Sequence, residues 1–348
     1  DQTRSTIFVS SFSGAGPTFT ARNITIEPGV DIVFDSNGAT ANTIVLYGDL
    51  IVDGSLTIGD TESLVTIDPN ASLGVITKIE NSQPHADEFD ITYWSSPVVA
   101  AQISTVFAGV DPNRIFELNP AEENLDPGFE GEYIHWFVAS GSMEAARGYA
   151  AQGIGTGVQV LNFTGIPHNG NYAEELFYEA GGTSFDNFNL IGNPYPSAIN
   201  IDAFFQVNDN VGQIQLWTHA NAAVGGEYDF ADYVTYNASG GSEDGVLPNI
   251  GSGQGFMAEA IGPGQANFTN AQRLIDQNTQ FFKSANSKKG EVLAKAGSEV
   301  ERDRFWVKVT DQYGLQDQIL IGFFDKATDD FDPRYDARYV NYHKGVNL

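Results

Sequence analysis

The groups in this sequence that could do chemistry are five histidines, 45 carboxylates and a set of aromatic rings, and their spacing decides which chemistry is open to them. His85, His135, His168, His219 and His343 are scattered along the chain. They form neither a His-Glu-x-x-His motif nor a close pair, so the usual spacing of a zinc site is missing and packing or surface roles are expected. A serine nucleophile needs a strained Gly-x-Ser-x-Gly elbow, which the sequence lacks. The absence of cysteine removes disulfides, thiolate metal sites and cysteine nucleophiles. Gly153-Ile-Gly-Thr-Gly157 and Gly251-Ser-Gly-Gln-Gly255 look like phosphate loops but have no accompanying lysine and no strand–loop–helix setting, so they read as tight β-turns. Among so many acids, carboxylate pairs of the glycosidase kind arise by chance and carry little information.

Two constellations remain. Asp329, Asp330, Asp332 and Asp336 lie in one short loop, and several carboxylate oxygens close together are what a hard cation such as Ca²⁺ requires. Pairing with Arg334 and Arg338 is the competing use of those acids. Trp94, Tyr149, Tyr195 and Trp217, with Trp136 and Trp306 also in view, could supply a sugar-stacking platform, a flat ring meeting the apolar face of a pyranose. The competing use is core filling, because most of them stand inside alternating runs.

The elements that must position these residues read as strands. Between Asn23 and Ile76 apolar pairs recur with period two: Ile24/Ile26, Ile44/Leu46, Leu50/Val52, Leu56/Ile58 and Val65/Ile67. Gly48-Asp49, Asp53-Gly54 and Gly59-Asp60 punctuate them, as expected for tight hairpins or for the corners of a parallel β-solenoid. The similarity of the short apolar triplets favours the solenoid.

A second repeat appears when the segment after Pro84 is slid by about a hundred residues. Phe89–Pro97 then falls on Phe188–Pro196, Glu132–Gly141 near Asp232–Gly240, Gly148–Gly157 on Gly255–Gly264 and Asn162-Phe-Thr on Asn267-Phe-Thr. Ordered matches of this kind predict a duplicated β-unit whose copies pack about a pseudo-twofold axis. Short helical turns are expected only near Ile201–Phe205 and Ala271–Ile275.

The expected architecture is therefore all-β. It comprises a β-solenoid-like region over 1–82, β-repeats of sandwich type over 83–183 and 184–285, a linker over 286–303 and an incomplete C-terminal β-unit over 304–348. That last unit is too short to close a core alone, so it must pack on the preceding repeat or be completed by another chain.

Composition bounds the partners. The 45 acids face 17 Lys and Arg, a formal net charge of −28, and between Asn23 and Gln272 the only basic residues are Lys78, Arg114 and Arg147. So acidic a surface repels nucleic acid and anionic lipid. A hydrophobic fraction of 41% with 24 Phe and 14 Tyr argues for a folded chain. No apolar run reaches the length of a bilayer span.

Several phrases, Tyr93-Trp-Ser-Ser-Pro97, Arg147-Gly-Tyr149, Asn189-Leu-Ile-Gly-Asn-Pro-Tyr-Pro-Ser197, Gly253-Gln-Gly-Phe256 and Phe331-Asp-Pro-Arg-Tyr-Asp336, resemble secreted Bacteroidota proteins exported by the type IX secretion system. The resemblance is to the region that precedes the C-terminal sorting domain of large, adhesin-like flavobacterial surface proteins. It implies an extracellular or cell-surface location and β-sandwich architecture, and it carries no catalytic residues. No sorting domain is visible in this sequence. Together these readings predict a non-catalytic surface protein, structural or adhesive, that self-associates or takes a partner strand. The alternative is a glycan-binding accessory region of a polysaccharide-degrading enzyme, with Ca²⁺ as the one conceivable cofactor.

Overall fold

The computed structural model describes residues 3–129, 134–181, 187–217, 233–241, 248–278, 303–310, 316–325 and 327–336. It is 46% strand and 6% helix, an all-β chain as the alternating patterns predict.

The chain begins as a three-sided parallel solenoid. The first rung is β1 (Thr6–Phe8), β2 (Phe12–Gly14) and β3 (Phe19–Ala21); the second is β4 (Ile24–Ile26), β5 (Asp31–Phe34) and β6 (Thr43–Leu46); the third is β7 (Leu50–Val52), β8 (Ser55–Ile58) and β9 (Ser63–Thr66). Corresponding strands stack in register, Thr6 on Ile24 on Leu50, Phe12 on Ile32 on Leu56, Phe19 on Ile44 on Leu64. Short strands with alternate apolar residues suit this arrangement, because each rung buries one face and hands its backbone edges to the next. Ile24, Ile26, Phe34, Leu46, Leu56 and Ile58 fill the interior. At the corner before β8 the rungs come so close that a Cβ on Gly54 would stand 2.0 Å from Val30 O.

The expected phase of β9 needs correction. Leu64 rather than Val65 joins the interior cluster, and Ile67 is exposed. Strands β6 and β9 are buried on both faces, so alternation gives no guide there.

The solenoid does not end at a linker. The long strand β10 (Ile76–His85) pairs in parallel with β8, Thr77 opposite Thr57, and on its other edge antiparallel with β15 (Gly157–Gly165), from Ile76–Gly165 to His85–Gly157. The expected division between residues 82 and 83 therefore falls inside a strand.

The first repeat contains β11 (Ile91–Trp94), helix α1 (Ile103–Val106), β12 (Ile115–Leu118), β13 (Trp136–Val138), β14 (Tyr149–Gln152) and β15. The second contains β16 (Tyr172–Leu176), β17 (Phe188–Gly192), β18 (Ile199–Asn200), helix α2 (Ile201–Val207), β19 (Val211–Trp217), β20 (Tyr233–Asn237), β21 (Gly240–Gly241), β22 (Asn249–Ile250), β23 (Gly255–Ala260) and β24 (Gly264–Phe268). The main sheets run β11-β14-β12-β13 and β17-β23-β19-β20-β21, so first, last, second and third strands lie in the same order in both. In each repeat the flanking strands also pair with each other, β10 with β15 and β16 with β24. The helix follows the first strand of the main sheet and packs beneath it, with Ile103, Val106 and Phe107 in one core and Ile201, Phe204 and Phe205 in the other. The first core is continuous with the solenoid interior, whereas the second is separate.

The pairing corrects the alignment by two residues. Trp94 opposes Tyr149 in one sheet and Ile191 opposes Phe256 in the other, so Trp94 corresponds to Ile191, not to Asn193.

The C-terminal unit is a hairpin, β25 (Asp303–Thr310) with β26 (Gln316–Phe323), and it packs on the second repeat. Arg304 Nη1 donates to Ser239 O at 3.0 Å, Trp306 Nε1 to Gly241 O at 3.2 Å and Asn237 Nδ2 to Tyr335 O at 2.9 Å. The expected linker lies outside the described residues as far as 302, as do His219 and His343. Among the described residues no helix is long and apolar enough to cross a membrane.

Candidate functional site

The third rung leaves backbone carbonyls that a further rung would have satisfied, and buried carbonyls need donors. Two cations supply them. Lys78, on the inner face of β10, has no exposed surface and donates from Nζ to Gly59 O at 2.7 Å, Asp60 O at 3.0 Å and Ile79 O at 2.8 Å. Arg273 closes the β9 side, donating to Leu64 O and, at 3.1 Å, to Ser197 Oγ, with its guanidinium 4.9 Å from the Tyr195 ring centroid. Burial pulls the Arg273 guanidinium down to about 10. Asn278 Nδ2 adds a donor to Asp60 O, and Leu64 N donates to Pro196 O.

Glu80 stands beside Lys78, Oε1 to Nζ 3.0 Å, with side chains 2% and 0% exposed. Burial raises its carboxyl to about 8; Lys78 opposes the shift and Asp60 adds to it. Its side chain meets Ser252 of the second repeat and packs against Gly253.

The repeats meet along a reciprocal seam. Ser95 N donates to Gly253 O at 2.7 Å, and the corresponding Gly192 N donates to Ala146 O at 2.9 Å. Trp94 bridges to Gln254 and Ile191 to Arg147, again as corresponding pairs. A Cβ on Gly148 would come 2.7 Å from Ile191 O, and one on Gly255 would come 2.9 Å from Trp94 O. Glycine is needed in both copies for one reason: the other copy's first strand crosses there. Arg147 sits on this seam amid Glu174 at 3.0 Å, Glu144 at 3.2 Å and Glu117 at 3.7 Å. His168, in the connection between repeats, reaches Ser96 O at 3.1 Å and Pro194 O at 3.0 Å through Nδ1, and burial lowers its pKa.

Over the outer faces of the two sheets lies an aromatic patch. Tyr93 is its buried centre, with Trp136 at 6.4 Å, Trp217 at 6.0 Å and Tyr233 at 6.4 Å between centroids, all tilted by less than 40°. The Tyr93 and Tyr233 hydroxyls share a hydrogen bond of 2.6 Å. Trp136, Trp217, Tyr233 and Met257 are half-buried.

Of the six rings in view from the sequence, Trp136 and Trp217 belong to this patch. Trp94 and Tyr195 have no exposed surface and Tyr149 is 2% exposed, so none of the three presents a face to a sugar. Trp94 packs on Phe107 and Phe163, Tyr195 donates its hydroxyl to Gly170 O, and Tyr149 accepts from Glu144 N and is held up near 12 by burial. Tyr93 and Tyr233 are the members of the patch that strand alternation alone does not mark.

The acidic loop makes local bonds. The carboxylates of Asp332 and Asp336 accept from the backbone amides of Thr328 and Asp332, which closes local turns. Among the described residues, Asp329, Asp330, Asp332 and Asp336 included, no group of three or more His, Asp or Glu is placed to hold a metal.

A family model described as a domain of unknown function, DUF8693, matches residues 5–348. The chain belongs to the DUF8693 family. The match takes in the solenoid, both repeats and the hairpin, so DUF8693 is the whole arrangement and not one of its parts. No curated protein and no solved structure matches the chain.

Proposed function

We propose that this DUF8693 chain is a secreted structural or adhesive module of a bacterial cell surface, working by contact with other chains and not by catalysis. The observation that carries the reading is the contrast between the ends of the fold. In the third rung β8 pairs with β10, and the edge strands β7 and β9 are met by non-strand backbone and side chains, Ser72 and Gly74 on Leu50, Pro196 and Arg273 on Leu64. By contrast, β1, β2 and β3, and likewise β25 and β26, have one strand neighbour each among the described residues. Open strand edges are templates for pairing. The net charge of −28, and the resemblance of several phrases to type IX secretion cargo, support an extracellular setting. Buried ionisable side chains, Lys78, Glu80 and Arg273, serve the joints between elements.

Protease shaving of intact producing cells, followed by immunoblotting for the chain, tests the reading. Loss of signal from undamaged cells is expected. Signal that survives shaving and fractionates with the cell interior would refute it.

A second reading, glycan recognition, is favoured by the half-buried Trp136, Trp217 and Tyr233 in one patch. Neutral polysaccharides fit the chemistry, since the acidic surface repels anionic ones. Binding to a neutral glycan panel that Trp217→Ala abolishes would support it, and a panel with no binding would count against it.

A further inference from the structure

The sequence contains two Asn-Gly pairs, Asn37-Gly38 and Asn169-Gly170, and the fold treats them in opposite ways. Asn37 and Gly38 lie at the solenoid corner between β5 and β6, and both are exposed. Asn37 has a left-handed φ of 54° and Gly38 one of 76°, a conformation that Asn and Gly tolerate best. One bond closes the turn, Ala39 N to Ser36 O at 3.2 Å, and the Asn37 amide donates to Asp35 Oδ1 at 2.7 Å. The anchoring of Asn37 is thus through its backbone; among the described residues its carboxamide has no hydrogen-bond partner. The space beside Gly38 is open, since a Cβ there would meet nothing within 4 Å.

Asn169-Gly170, in the connection between the repeats, is held at every polar atom that matters. Asn169 Nδ2 donates to Asp68 O at 2.8 Å, its Oδ1 accepts from Asn270 Nδ2 at 2.9 Å, and the Gly170 amide donates to Asn270 Oδ1 at 3.1 Å. Gly170 is buried, and a Cβ on it would stand 3.5 Å from Pro69 O.

We propose that Asn37 is a site of self-modification, where the folded chain converts its own carboxamide to a carboxylate, and that the fold spares Asn169. The reaction needs neighbouring atoms and water alone. The Gly38 amide nitrogen, on losing its proton, attacks Asn37 Cγ; the new C–N bond closes a five-membered succinimide, and the side-chain nitrogen takes a proton and leaves as ammonia. Water then adds to one of the two ring carbonyls. The ring opens to an aspartate at position 37 or, with the main chain rerouted through the side-chain carbon, to an isoaspartate. One water is consumed and one ammonia released. Glycine at position 38 matters because no Cβ shields the attacking nitrogen. Bringing that nitrogen onto Cγ requires the peptide to rotate, and an exposed turn with one closing bond opens locally at little cost. At Asn169 the three bonds must break first. Each conversion adds one negative charge to a chain already at −28. The rungs stay stacked through it, because Ser36 N remains bonded to Glu62 Oε1 at 2.9 Å and Ser36 Oγ to Thr40 O at 2.9 Å. This inference is independent of the structural-module reading.

The test is to incubate the purified full-length chain at mildly alkaline pH, where the amide loses its proton more readily, and to follow each asparagine by peptide mapping and mass spectrometry. Replacement of NH2 by OH is read as a mass gain, and enzymatic methylation of isoaspartate identifies the rerouted product. In the folded chain Asn37 should convert at least about thirtyfold faster than Asn169, because hydrogen bonds of ordinary net strength stand against the second reaction. In concentrated urea, where the fold no longer distinguishes them, the two Asn-Gly pairs should convert at similar rates. Equal rates at Asn37 and Asn169 in the folded chain would overturn the proposal. So would an Asn37 that stays intact in the fold yet converts in urea, since the corner would then be closed to the reaction.

Discussion

Lys78 Nζ and Glu80 Oε1 stand 3.0 Å apart on one face of β10, both side chains shut off from solvent where the solenoid ends and the repeats begin. A buried ammonium needs its hydrogen bonds made, and here Lys78 has three carbonyls besides Glu80.

Because burial pushes the folded-state carboxyl of Glu80 up to about 8, well above the usual carboxylate range, its protonated form is favoured in the fold. Its contribution to stability is full below the unfolded value and declines as pH rises through about 8. Chemical denaturation of wild type and Glu80→Gln between pH 4 and pH 9 should show wild type losing ground to the variant across that window. His168, lowered by burial, acts in the opposite sense, losing stability as pH falls, so the comparison with the variant is needed. Parallel pH profiles would contradict the assignment.

Arg273→Met should cost about 3 kcal/mol in a urea titration, since it leaves Leu64 O and Ser197 Oγ without their charged donor inside the fold. Arg114→Met, by contrast, breaks an exposed contact to Glu88 at 3.6 Å and should cost less than about 0.5 kcal/mol. Equal losses would mean that Arg273 does not close the third rung.

Gly148→Ala and Gly255→Ala each drive a methyl into the other repeat's first strand and should each cost about 1–3 kcal/mol. The same penalty at both positions, read by thermal unfolding, is the signature of a symmetric seam. A variant that unfolds like wild type would show that the strands can move apart there.

Trp94→Ala should lose about 3–5 kcal/mol, as expected for a large ring removed from a close-packed core. Trp217→Ala, half-exposed, should lose clearly less. If the two are equally damaging, the aromatic patch belongs to the core and is no platform.

Much of this was legible in the sequence, and the failures have physical causes. Gly-Asp punctuation marked the solenoid corners, but the first rung escaped because Phe8, Phe12 and Phe19 are spaced by Ser, Gly and Thr without strict alternation. The duplication was visible through Gly148 and Gly255, both required by the seam. Its first strand slipped by two residues because Pro97 and Pro196 were equated, although the turn before Pro196 is the longer one. Alternation showed Trp94 and Tyr149 to be strand residues but could not say which sheet face was covered. Lys78 and Arg273 gave no signal as motifs. Their rarity was the signal: where basic residues are so few, each has a specific acceptor, and charge composition alone assigns them to the surface.

The sheet β15-β10-β8-β5-β2 spans solenoid and first repeat without a break. Its mechanical consequence is that the molecule has no joint near residue 82. Torque applied at the first rung is carried through β10 into both repeats, with no linker to absorb it.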